Sequence, residues 1–557
     1  MQLVSLEACK ACREVSAPSV RVTSSAPPHF AANSTPTRVS ILRARGVVWE
    51  RRVEDLSPNI ELLRFLQRLT FGSDFDRSIF GVSWPPSLEE LTLPKPFNQP
   101  IEGVTWPPSL RVLAFGAGFN QAVEGVVWPA LLERLSFEDT FNQPITEVHW
   151  PSTLKYLSLG GKFSYPLDQV LWPPSLQQLS LSLRFNQPVE NVRWPPSLQH
   201  ISLPGWFNQS VIGVEWPSSL KRLSLGICFN QPISGFLLPD SLEQLEFDGN
   251  FNQPITAVRW PASLQHLSFG FKFNQPIARV AWPASLRKLT FGREFNRSLV
   301  GVQWPSSLER LTFGDGFNQP IEEVAWPASL RGLALGYTFN KSVKTVIWPA
   351  CLEQLMFSAH FNQPIIEVAW PASLRQLKFG SSNDKPVEGV VWPDSLQWLA
   401  FGRNFDQAIT EVKWPSSLKQ LTFDEYFNQP IIGVRWPDSL ELLKFGSDFN
   451  HLIDKVVWPT SLQHLTFGHD FNSPITGVKW PPYLRNLTFG HRFNQPITGV
   501  VWPAHLNCLT FGVRFNQIIA DVVWPSTLHD LVFGQYFKQP IADIKWPKSL
   551  RRLRIYK

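Results

Sequence analysis

The stretch FNQPIEGVTWPPSLRVLAFGAG spans Phe97 to Gly118, and the chain then begins again with FNQAVEGVVWPALLERLSF from Phe119. Phe75, Phe97, Phe119 and Phe141 open successive units, and the series runs to Phe537 at a constant spacing of 22 residues, giving 22 units. A second marker keeps the same step, from Trp84-Pro85 through Trp106-Pro107 to Trp546-Pro547. Only Leu238 breaks the Trp column, and only Asn383 breaks the Phe column. A fixed period of this length is the signature of a repeat architecture, so a single array replaces the several globular domains that 557 residues would otherwise suggest.

Within a unit numbered from its Phe, apolar residues recur at positions 1, 5, 8, 10, 14, 17 and 19, as in Phe97, Ile101, Val104, Trp106, Leu110, Leu113 and Phe115. The tail Leu-x-x-Leu-x-Phe ends with a period of two, which reads as a short strand. The middle, Ile-x-x-Val-x-Trp, is open to reading as a second extended run. Pro at positions 4 and 11 and Gly at position 20 exclude a long helix and predict bends. Each unit is therefore expected to be a coil of two short extended runs and two bends. Such a coil cannot bury its own apolar face; it needs the units above and below it. The expected fold is a solenoid of short parallel strands stacked in an elongated right-handed coil or arc, with little helix. At about 4.8 Å per turn the array would extend roughly 100 Å.

The Asn at position 2, in Asn98, Asn120, Asn142, Asn186, Asn252 and most other units, has a structural reading. An Asn at a bend can accept and donate toward the backbone of its own and the adjacent turn, so a stacked column would form a ladder satisfying buried peptide groups. Asn208, Asn296 and Asn340 also begin N-x-Ser sequons. Glycosylation there is disfavoured if ladder residues are inaccessible.

The phrase Phe-Asn-Gln-Pro-Ile, preceded by Ser-Leu-x-x-Leu-x-Phe-Gly, resembles the FNIP repeat, a 22-residue relative of the leucine-rich repeat. Trp-Pro-Pro-Ser-Leu-x-x-Leu is also similar to the Leu-Pro-x-Ser-Leu-x-x-Leu of short bacterial-effector leucine-rich repeats. The resemblance covers Phe75 to the C-terminus, with Trp-Pro standing where Ile-Pro or Leu-Pro is usual. It implies a leucine-rich-repeat-type solenoid acting as a protein-interaction scaffold.

If a partner is recognised, the variable columns should recognise it. Position 16 (Glu90, Val112, Arg134, Tyr156, Gln178, His200) and positions 21 and 22 (Gly205-Trp206, Arg293-Glu294, Glu425-Tyr426, His491-Arg492) differ from unit to unit. Tyr156, Trp206, Trp398, Tyr426 and Tyr536 fall in these columns and are the candidate partner-binding residues, because exposed aromatics are common interface anchors. Lys162 with Arg184, Asp448 with Asp470, and Arg492 with Arg514 would make small charged patches. The alternatives are a purely structural or functionally neutral duplicated array, and a glycan or small-ligand receptor on the concave face.

No enzyme, cofactor or metal is expected. His464, Asn486, Cys508 and Asp530 occupy position 16 of successive units and imitate a thiol-hydrolase set. Nucleophile and base would nevertheless stand two turns apart, about 10 Å. His469, His491 and Asp470 do not complete a ligand set. The charge balance, 51 basic against 45 acidic residues, divides into 10 against 7 before Phe75 and 41 against 38 after it. A near-neutral array argues against nucleic acid as a partner.

Residues 1–45 lack the repeat, carry no acid between Glu14 and Glu50, and are expected to be a disordered leader with a possible targeting role. Residues 46–74 are expected to form an N-terminal capping half-repeat, since Leu66-x-x-Leu69-x-Phe71-Gly72 reads as a unit tail, and residues 75–557 form the array. Cys9 and Cys12 make a lone CxxC pair, and Cys228, Cys351 and Cys508 fit no disulfide framework. No apolar run is long enough for a membrane span. The expected location is cytoplasmic, with organelle targeting through residues 1–45 as the alternative.

Overall fold

The computed structural model describes residues 19–22, 46–49 and 65–556, the first two segments by their backbone. Most of the leader, including Cys9 and Cys12, lies outside the described residues. Among the described residues there is no helix. The protein is a solenoid of stacked parallel strands, one per 22-residue unit.

Two compact parts are distinguished, residues 1–270 and 271–557. In the first, β1 (Ser19–Val22), β2 (Gly46–Trp49) and β3 (Arg68–Phe71) are followed by a strand every 22 residues, from β4 (Glu90–Leu93) to β12 (His266–Ser268). Each pairs in parallel with the next, as in Leu91 opposite Leu113 and Leu93 opposite Phe115. The second part runs from β13 (Lys288–Thr290) to β25 (Arg552–Ile555) in the same way. Strand pairing therefore begins before the first complete unit. Gly46 to Trp49 stands one repeat ahead of Arg68 to Phe71 and pairs with it in register, and Ser19 to Val22 pairs with Gly46 to Trp49. Ser19 to Val22 falls within the segment expected to be disordered.

The rest of each coil is made of turns. In the unit of Phe97, the N–H of Phe97 donates to Pro94 O at 3.1 Å, that of Val104 to Ile101 O at 3.3 Å, and that of Leu110 to Pro107 O at 3.2 Å. The stretch Ile101 to Trp106 thus contains a β-turn and is not a second strand, so the coil has one strand and three tight turns. The second turn often needs a positive φ, which Gly103 supplies at 70°. Coils are joined by forked backbone bonds: Glu89 O accepts the N–H groups of both Arg111 and Val112, at 2.8 and 2.9 Å.

The core is the predicted set. Phe97, Ile101, Leu110, Leu113 and Phe115 are wholly buried, and Val104 and Trp106 nearly so. Phe rings of positions 1 and 19 stack on one another within and between turns, with Phe115 and Phe119 centroids 4.2 Å apart and Phe97 to Phe119 6.1 Å. The indoles form a parallel file, Trp106 to Trp128 at 6.4 Å and 12°. Offset stacking of this kind adds to the burial of large rings. Gly at position 20 has a steric reason: a Cβ on Gly468 would lie 1.6 Å from Gly446 O of the preceding turn.

Candidate functional site

Constant residues point inward, so three solvent faces remain: the outer strand face, the corner at positions 21 and 22, and the opposite side around position 9. The position-2 ladder borders the corner. Asn98 Oδ1 accepts the backbone N–H of Asn120 at 2.8 Å, Asn120 Oδ1 that of Asn142, and Asn186 Oδ1 that of Asn208. Asn252 N–H donates in turn to Asn230 Oδ1 at 2.9 Å. The position-3 Gln adds a clamp, Gln121 Nε2 donating to Asn98 O at 2.9 Å. The ladder differs from the sequence expectation in its setting. Asn98 and Asn186 are exposed, and Asn120, Asn142 and Asn252 are half-buried. It lies at the rim of the coil, because one Asn spans only to the next turn's N–H and the Phe beside it fills the interior. The sequon residues Asn296 and Asn340 are exposed for the same reason.

A second ladder carries no aromatic marker. The Ser of Trp-Pro-x-Ser-Leu reaches back one turn: Ser109 Oγ donates to Leu88 O at 2.8 Å, and Ser373 Oγ to Leu352 O likewise. A Ser that recurs in most bends was its only sequence signal. Position 15 forms a third file, which alternates in charge over short runs of turns. Arg111 and Lys155 flank Glu133 at 2.5 and 3.1 Å, Arg287 meets Glu309, Arg331 meets Glu353, and Lys419 meets Glu441. The Lys155 ammonium, with help from the Arg111 guanidinium, holds the Glu133 carboxyl below its usual range against the opposing effect of burial.

The five aromatic candidates occupy two environments. Tyr156, in β7 (Tyr156–Ser158), and Trp398, in β18 (Trp398–Ala400), are only half-exposed, each in a strand paired on both sides. The Arg134 guanidinium lies 4.8 Å from the Tyr156 ring centre. At the corner, Trp206 is 58% exposed, Tyr536 54% and Tyr426 41%. Arg184 covers the Trp206 ring at 5.3 Å, and Arg403 covers Tyr426 at 5.2 Å while pairing with Glu425. The backbone N–H of each corner aromatic is fixed by the preceding turn, Trp206 on Leu183 O and Tyr426 on Arg403 O. Trp398 and Tyr426 belong to successive turns, whereas Tyr536 stands five turns further along.

Sequence reasoning passed over Tyr337. It is 49% exposed at a corner, its ring centre 4.8 Å from that of His360. It borders a cleft of about 780 Å³ with Asn274, Arg293, Glu294, Asn296, Asp315, Gly316 and Thr338. It also passed over position 9, where Ile347, Val391, Val457, Val501 and Val523 are among the most exposed apolar side chains.

The catalytic imitation fails on chemistry. Cys508 lies beside Asn486 and Asp530, with His464 one strand beyond Asn486. Burial and the Asp530 carboxylate push the Cys508 thiol up, away from the thiolate a nucleophile requires. His469 and His491 stack at 4.5 Å, and Asp470 is engaged by His469 Nδ1 and Arg492. Burial, then the neighbouring His469, Arg514 and Arg492, holds His491 below its ordinary value. Among the described residues no group of three or more His, Cys, Asp and Glu side chains could hold a metal ion, and no helix is long and apolar enough to cross a membrane.

The FNIP repeat model matches residues 97–139, 119–162, 207–250, 251–294, 273–316, 295–338, 361–404, 427–470, 471–513 and 515–557. Among solved structures, CroV588, described as a novel circular leucine-rich-repeat protein, is 38% identical with a TM-score of 0.81, over 92% of this chain and 82% of that one. TLR13, solved in a complex with ssRNA13, is 14% identical with a TM-score of 0.52, over 89% of each chain, and shares the fold alone. No curated protein matches the chain. A constant 22-residue phrase, a parallel strand in every turn and these matches together place the chain: it belongs to the FNIP repeat family.

Proposed function

We propose that the protein is a non-enzymatic scaffold that binds other proteins through the corner residues of its solenoid. The observation that carries this reading is the pair of ordered, exposed rings, Trp206 under Arg184 and Tyr426 under Arg403. Each is held by a cation and a backbone bond, so little rotamer freedom remains to be lost on binding. Aromatic and Arg side chains are the residue types that dominate interface energetics. A leucine-rich-repeat solenoid is typically an interaction scaffold and typically non-enzymatic, which supports the reading, as does the absence of concentrated charge in the array. The proposed compartment is the cytoplasm, supported by the free thiols Cys228, Cys351 and Cys508, which sit in separate turns.

The test is affinity capture by the full chain from its native extract with quantitative mass spectrometry, repeated with Trp206→Ala and Tyr426→Ala. Proteins retained by the wild type and depleted about tenfold or more by one variant are expected, the loss of a typical hot spot. Equal capture by all three forms removes the corner assignment. Capture of nothing above background favours the purely structural array.

A further inference from the structure

We infer that the cleft beside Tyr337 is a binding site for an uncharged saccharide, at a different stretch of the corner from Trp206 and Tyr426. The cleft exists because position 22 reads Glu294, Gly316, Thr338 on three successive turns, and the middle residue has no side chain. Gly316 also admits no ordinary replacement, since a Cβ there would lie 2.6 Å from Arg293 O. The gap is thus built into the backbone.

The walls are electrically balanced. The Arg293 guanidinium lies 5.2 Å from the Phe271 ring centre and its Nε is 3.4 Å from Asp315 Oδ2. Lys272 Nζ binds Glu294 Oε1 at 2.6 Å and also lies over Phe271. Two cations and two carboxylates compensate one another, so an incoming anion or cation would have to break an existing pair. A neutral ligand with adjacent hydroxyl groups need not: each hydroxyl can donate to a carboxylate and accept from a guanidinium.

The floor offers less. Gly316 N–H is committed to Arg293 O, and the N–H and hydroxyl of Thr338 both go to Asp315 O. Asn296 Oδ1 already accepts from Asn318 N–H and Gln319 Nε2, which leaves its amide as a donor. Recognition therefore falls to the side chains of Arg293, Glu294 and Asp315, plus the half-exposed Tyr337. An aromatic ring beside paired hydroxyl-binding groups suits the C–H face of a pyranose. The depression, about 780 Å³, is open to solvent along one side.

Saturation-transfer NMR on the full chain tests this, with maltose, cellobiose, lactose and chitobiose as neutral probes and glucuronate and glucosamine as charged ones. The expected result is transfer to ring protons of at least one neutral disaccharide. It should fall about tenfold or more in Tyr337→Ala, persist in Tyr337→Phe, and be unchanged in Tyr536→Ala. Circular dichroism of each variant confirms folding, which the exposed position of Tyr337 should leave intact. Transfer to no neutral probe, transfer equal in Tyr337→Ala and wild type, or transfer confined to the charged probes would each overturn the inference. Because Trp206 and Tyr426 are untouched, the result is independent of the capture experiment.

Discussion

Asn383 shows what a single letter does when its column is otherwise invariant. It occupies the site that Phe fills in every other turn, it is wholly buried, and neither its Oδ1 nor its Nδ2 has a hydrogen-bond partner. The backbone is unaltered: its N–H donates to Gly380 O at 3.2 Å, as that of Phe361 does to Ser358 O at 3.3 Å. An unpartnered buried amide costs about 1–3 kcal/mol, and a missing core ring a comparable amount or more. Asn383→Phe should therefore stabilise its turn by about 2–4 kcal/mol, by restoring the stack between Phe361 and Phe405. Hydrogen exchange reports this locally, as slower exchange of the amides in residues 361–404 than in the wild type. Unchanged or faster exchange would mean that the neighbours have already closed around the Asn.

At the scale of one coil, the turn beginning at Phe229 shows how the two irregular letters of a unit compensate. It has Leu238 where the others have Trp and, two residues earlier, Phe236 where the others have Val or Ile. Phe236 is buried and meets the Trp216 ring edge-on at 6.1 Å and 70°. The bulk lost at position 10 returns at position 8, a nearly volume-conserving exchange of the sort cores tolerate best. The pair should transplant. In the turn beginning at Phe339, Trp348→Leu alone should cost about 2–4 kcal/mol and Val346→Phe alone about 1–3 kcal/mol, but the double variant should lie within about 1 kcal/mol of the wild type. Urea titration of the four proteins gives the coupling, and additive losses would refute it. Much of the coil was legible in this way from sequence, because Leu110, Leu113 and Phe115 repeat at a period that only a buried strand explains. The second turn was not legible: Ile101 and Val104 have the same spacing in a turn as in a bent strand, and only the 3.3 Å bond between them decides. The Ser109 ladder was hidden because a bend favours Ser with or without a carbonyl one turn away. The Tyr337 cleft was hidden because it depends on Gly316 in the neighbouring turn, a relation between columns rather than a property of one.

Within each of the two parts, successive strands are joined by the same forked backbone bonds. Lys419 O accepts Glu441 N–H and Leu442 N–H, as Glu441 O accepts Gln463 N–H and His464 N–H. Stability should then be a sum of turn and nearest-neighbour contributions, with no turn indispensable. Deleting residues 427–448 joins Tyr426 to Phe449, and Phe449 inherits the place of Phe427 in every column. Lys419 then faces Gln463 in place of Glu441, a loss of about 0.2–1 kcal/mol for one exposed pair. The shortened protein should fold, with strand circular dichroism per residue unchanged and a melting midpoint within a few degrees of the wild type. Deleting only residues 427–437 removes half a coil. It sets Leu440 and Leu443 where Phe427 to Trp436 belong, so the core columns and all three ladders lose register from that point. That protein should lose its cooperative transition or aggregate. The comparison separates a register-based array from one stabilised by particular turns: if the whole-turn deletion fails as badly as the half-turn deletion, residues 427–448 supply something that the other turns do not, and the nearest-neighbour description is wrong.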